Sequence, residues 1–84
     1  MEELSRVLAK AERYVRDCAV LVAEQRIRVS QCLINGWDTC ESRRVLAEME
    51  MNYNLIVRER DRLKAQRAGI DELQRVRREG EAVN

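Results

Sequence analysis

The side chains best equipped for chemistry in this 84-residue chain are three cysteines, Cys18, Cys32 and Cys40. Cys32 and Cys40 flank the stretch "LINGWDT" and could meet across a turn as a redox clip, with Cys40 in the first turn of a helix, where the dipole favours an anion. The plainer reading is that small apolar thiols fill a narrow seam. An odd number of cysteines without a CxxC pair fits reduced thiols better than a disulfide framework. A Cys-only zinc site would still lack a fourth ligand. A second candidate is the basic run "RERDRLKAQR" at residues 58–67, which could offer a phosphate-binding surface. Acids are interleaved in it, however, and Tyr53 is the one stacking partner nearby, so a solvated helix face laced with charge pairs explains it more simply. Tyr14, Glu59 and Arg60 could form a polar site, yet two helices enclose no pocket. Arg60 and Arg67 are instead expected to lay their stems over Val15 and Leu8 while their charges reach the edge.

Several function classes fall away. The chain has no histidine, the side chain that most often moves protons near neutral pH and the commonest metal ligand. It shows no nucleophile beside a base, no carboxylate pair in an apolar setting and no glycine-rich phosphate loop. A non-enzymatic protein without cofactor or metal is expected. Sixteen basic residues stand against fifteen acidic ones, a formal charge of +1. That balance disfavours a dedicated nucleic-acid binder, whose affinity rests on neutralising phosphates, although a regulator using the Arg-rich helix face is the alternative function. The opening "MEELSRVLAK" has no long apolar run, so neither a signal peptide nor a membrane span is expected and the cytoplasm is the expected location.

The elements that must position these residues follow from the apolar spacing. Leu4, Leu8, Ala11, Val15, Cys18, Val22, Gln25, Val29 and Cys32 alternate steps of four and three, and Gln25 alone breaks the seam. Ser42, Leu46, Met49, Tyr53, Ile56, Arg60, Leu63, Arg67 and Ile70 repeat the pattern more loosely. The spacing predicts two coiled-coil-like helices, 3–34 and 39–67, about 48 and 43 Å long at the usual rise. Between them, turn 35–38 holds Gly36, suited to a left-handed helix ending, and Trp37, placed to pack back on the last turn. Asp38 with Glu41 reads as a capping box, and Thr39 is an equally lawful N-cap. So short a link makes the helices antiparallel neighbours. Folding about Trp37 sets Val29 beside Leu46, Val22 beside Tyr53, Cys18 beside Ile56 and Ala11 beside Leu63. It also brings Glu12 near Lys64 and Arg26 near Glu50, pairs of opposite sign. Residues 1–68 thus form a hairpin, and 69–84, with Gly69 and Gly80 and a thin apolar pattern, form an extension expected to be partly helical or frayed.

On "AERYVRD" at 11–17, "GWDT" at 36–39 and "RDRL" at 60–63, the chain resembles a group of small alpha-proteobacterial helical-hairpin proteins with a G-[HW]-D-T turn. The likeness covers most of residues 8–65. Arg16 stands where the first motif of that group ends in Ala, Trp37 where His is frequent, and the cysteines are foreign to the pattern. The resemblance implies a helical hairpin and supplies no activity.

The faces of such a hairpin are unequal. Val7, Tyr14 and Leu21 line one flank of the first helix, with Val45 on the same broad side of the second. The opposite broad side carries Glu12, Arg26, Arg43, Glu50 and Lys64. Val20, Ile27 and Ile34 make a further stripe on the outer side of the first helix, and Met51 and Leu55 turn partly outward on the second. Two helices that bury one stripe each are marginal at this size. The expected architecture is therefore all-α: an antiparallel two-helix hairpin dimerising into a four-helix bundle. The expected function is a self-associating protein–protein interaction module, with a helical protein as a further partner.

Overall fold

The computed structural model describes residues 2–83, and the side chains of 3–80. It holds two helices, α1 at Glu2–Ile34 and α2 at Cys40–Val83, and among the described residues no strand. They lie side by side as a hairpin with extents of 74 × 16 × 15 Å.

The tip is built by backbone hydrogen bonds. Trp37 N donates to Cys32 O at 2.9 Å and Gly36 N to Leu33 O at 3.2 Å, the paired bonds of a Schellman ending. Gly36 sits at φ 70°, the conformation that ending demands and that a Cβ disfavours. No atom lies within 4 Å of where a Cβ on Gly36 would point, so the demand is one of backbone conformation and not of space. Trp37 remains 64% exposed, so its ring is not packed away on the last turn as the sequence suggests.

The start of α2 differs from the expected capping box. Thr39 O accepts from Arg43 N at 2.8 Å, which makes Thr39 the N-cap. Asp38, one residue earlier, accepts from Cys40 N at 2.9 Å. With Thr39 as cap, the third helical position is Ser42 and not Glu41, so the box has no acid where it needs one. Ser42 Oγ donates to Thr39 O at 3.1 Å, and Glu41 is drawn into a pair with Arg44.

The far end of α2 also departs from expectation. Instead of ending near residue 67, the helix continues through Gly69 and Gly80 to Val83. Neither glycine has a positive φ, and no proline interrupts the run. Arg75 reaches both Glu72 and Glu79 along the exposed surface, the i, i+3 and i, i+4 pairing that supports a helix with nothing packed against it.

The seam follows the heptad. Leu8, Val15, Val22 and Val29, seven residues apart, are buried, as is Leu63 of α2. Leu4, Ala11, Cys18 and Cys32 are half-buried. Arg60 is half-buried and its guanidinium pairs with Asp61 at the edge, whereas Arg67 lies exposed and does not cover Leu8 as expected. Gln25, buried to 6% exposure, donates to Ser42 O at 3.0 Å, so the polar break in the seam is satisfied across it.

Two expected ion pairs are present: Arg26 meets Glu50 at 3.1 Å and Lys64 meets Glu12 at 3.8 Å. Ala11 and Leu63 line one depression, in keeping with the register. Cys18, by contrast, shares a second depression with Leu21, Met49 and Asn52, about one turn nearer the tip than the expected Ile56. The Gln25–Ser42 bond is displaced the same way. Long ionic side chains tolerate such a slide, and short apolar ones record it.

Candidate interaction surface

Residues seven apart on a helix share a column along the seam, so α1 presents its side chains in lanes. One lane holds Glu12 and Arg26, each paired with α2, and defines the charged broad side. The lane across the seam holds Val7, Tyr14 and Leu21, exposed to 46, 55 and 51%. The depression of Val7, Lys10, Ala11, Tyr14, Glu59 and Leu63 and that of Cys18, Leu21, Met49 and Asn52 run along this second side. Val45, expected on the same side of α2, is half-buried. Val7, Tyr14 and Leu21 thus share one exposed lane of α1.

The second group stands apart. Val20 and Leu21 are consecutive, hence about 100° apart on the helix, so Val20, Ile27 and Ile34 face away from the lane of Leu21. All three are exposed, as are Met51 and Leu55 on α2. This outer stripe runs toward the tip, where Leu33, Ile34 and Trp37 are also exposed.

Sequence reasoning leaves Leu73 and Val76 of the extension out of the surface, yet both are about half exposed. Their signal lies in the spacing: Leu73 falls four heptads beyond Val45 in the same lane, and Val76 three heptads beyond Leu55. Leu73 thus continues the lane of Val45, and Val76 that of Leu55, past the end of α1.

Several arginines are occupied. Arg44 forks onto Glu41, Arg62 onto Glu59 and Arg75 onto Glu72, a repeated Glu-x-x-Arg arrangement. The hydrogen bond from Arg44, with its charge, holds the Glu41 carboxyl below its usual range, and that from Arg62 does the same for Glu59. The two guanidinium groups are shifted up in return. These acids stay anionic and neutralise arginines that a phosphate would otherwise meet. Cys40 is exposed, Cys18 and Cys32 half-buried, and all three are free thiols. Among the described residues, no three acidic or thiol side chains converge to hold a metal, and no helix is long and apolar enough to cross a membrane.

Fold and surface together define a helical hairpin of the coiled-coil kind with one apolar broad side. No protein-family model, curated protein or solved structure matches the chain.

Proposed function

We propose that this chain is a non-enzymatic protein–protein interaction module of the cytoplasm that self-associates through its apolar broad side. The observation that carries the reading is an excess of surface. The chain exposes 6797 Å². A compact monomer of its 9.9 kDa would expose about 5,200 Å² by the usual scaling. That excess comes with a slender outline, and among the described residues five apolar side chains are buried whereas twelve large ones are exposed. Exposed apolar lanes rimmed by charge, such as that of Val7, Tyr14 and Leu21, mark a docking face. The outer stripe of Val20, Ile27 and Ile34 suits a helix of a different protein laid in parallel with α1. The alpha-proteobacterial hairpins that the chain resembles fit this reading and offer no activity in its place.

Light scattering after size exclusion tests self-association directly. A dimer mass is expected at tens of micromolar, and a monomer mass well above a micromolar Kd removes the proposal. Paired substitutions separate the faces. Leu21→Glu is expected to split the dimer and Ile27→Glu to leave it intact; the reverse result would move the interface to the outer stripe.

A further inference from the structure

We infer that two copies pack apolar side to apolar side with their tips at opposite ends, about a two-fold axis that crosses Tyr14, so that each α2 overhang lies along the tip half of the other copy. The inference rests on the self-association proposed above and adds its geometry. Three features of the hairpin meet at that axis.

The first is the apolar lane itself. In an antiparallel pairing centred on Tyr14, each Tyr14 meets its own copy and each Val7 stands across from the partner's Leu21, since Val7 and Leu21 lie one heptad to either side of Tyr14. An isologous interface needs this self-complementarity.

The second is charge. Lys10 and Asp17, one lane further out, have no ion-pair partner among the described residues, unlike Glu12 and Arg26 on the other side. The axis at Tyr14 brings each Lys10 level, to within one residue, with the partner's Asp17. Glu3 and Glu24 then approach one another at the outer ends, where water and salt screen them most. Laid with both tips at the same end, the hairpins would instead set α1 against the partner's α2. Lys10 would then face the partner's Glu59–Arg62 ion pair, and its match to Asp17 would be lost.

The third is the lane of α2. Tyr14 and Glu59 line the same depression, so the axis passes α2 near Glu59, whose charge its fork with Arg62 offsets. Leu73 and Val45 lie two heptads to either side of Glu59, in one lane, so each exposed Leu73 stands across from the partner's Val45.

Site-directed cross-linking tests the arrangement. In a chain carrying Cys18→Ala, Cys32→Ala and Cys40→Ala, Tyr14→Cys should give a covalent dimer under mild oxidation. A variant holding both Val45→Cys and Leu73→Cys should cross-link between copies, and Ile27→Cys should not. A dimer by light scattering that cross-links through Ile27→Cys and not through Tyr14→Cys would overturn the geometry while leaving self-association standing; a monomer would overturn both. Charge exchange in the native cysteine background supplies a second reading that does not depend on the cysteine-free chain folding. Lys10→Asp should weaken dimerisation by about tenfold, and adding Asp17→Lys should restore it to within about threefold. A double variant as weak as the single one would overturn the pairing.

Discussion

Between Cys40 and Leu63, α2 lies against α1; from Asp71 to Gly80 the same helix lies against nothing in its own chain. The first stretch places Met49, Ile56 and Leu63 in a seam, while every residue of the second is exposed. Both stretches satisfy the backbone equally well, since helical hydrogen bonds are internal to the segment. They differ in what offsets the entropy of ordering the chain. In the paired stretch it is burial; in the overhang it is continuity with a helix already nucleated, together with the ion pairs of Arg75. A helix of that length cut loose would be marginal in water. Helicity alone therefore does not reveal which part of a hairpin carries its stability.

The sharpest way to break that comparison is truncation of one leucine on each side of it. Leu8→Ala, at 4% exposure, should lower the unfolding free energy by about 2–4 kcal/mol at any protein concentration. Leu73→Ala should cost less than about 0.5 kcal/mol in dilute solution, with a larger effect appearing as the concentration rises and copies associate. Denaturant titrations at two concentrations measure both. Equal losses for the two leucines in dilute solution would show that the overhang is folded back onto something.

Glycines provide the next contrast, because a methyl added at either Gly36 or Gly69 would meet no neighbour within 4 Å and only Gly36 has a positive φ. Gly36→Ala should destabilise the hairpin by about 1 kcal/mol or more. Gly69→Ala should stabilise it by slightly less than about 1 kcal/mol, through helix propensity alone. Opposite shifts of the melting temperature followed by circular dichroism are expected. Two shifts of the same sign would contradict the account of the tip or that of the overhang.

Thiol labelling extends the comparison from the seam to the tip with a smaller signal. Cys40 is exposed while Cys18 and Cys32 are half-buried. A maleimide should therefore modify Cys40 first, with peptide mass spectrometry giving the order. Cys18 reacting first would mean that the seam is open.

Acid should have the least effect. The carboxyls of Glu41 and Glu59 are held below their ordinary value of 4.5 by Arg44 and Arg62. A carboxyl lowered in the folded state stabilises above its unfolded value, and that stabilisation fades as the pH falls below about 4.5 through the folded value. Both groups are solvent-exposed, so only a slight fall in melting temperature is expected over that range. Replacing Arg62 with Gln should remove the part due to Glu59.

Much of this was legible in the sequence. The buried heptad from Leu8 to Val29, the positive φ of Gly36 and the two cross-helix pairs Glu12–Lys64 and Arg26–Glu50 all follow from periodicity and turn chemistry. What escaped depends on competition between near-equal local choices. Asp38 and Thr39 are both good caps, and the one-residue difference between them decides whether Glu41 can close a box. Gly69 weakens a helix without ending it, so its presence read as a boundary when its neighbours could carry the helix across. The slide that puts Cys18 with Met49 rather than Ile56 reflects packing of small side chains, which no single-residue preference records. Of the candidate surface, the lanes on α1 were visible from spacing, whereas Leu73 and Val76 fell in an extension expected to be only partly helical or frayed and so were not assigned to a face.

The slender outline of the hairpin has a consequence for anyone weighing it in solution. Its radius of gyration is 20.3 Å, where a compact chain of this length would have about 12 Å. A rod of that form drags on far more solvent than a sphere of equal mass, so it leaves a sizing column early and sediments slowly. A single hairpin calibrated against globular standards would pass for a dimer, and an end-reversed pair, scarcely longer than one hairpin but twice as heavy, would move closer to its true mass. For this molecule, elution volume and mass are separate measurements.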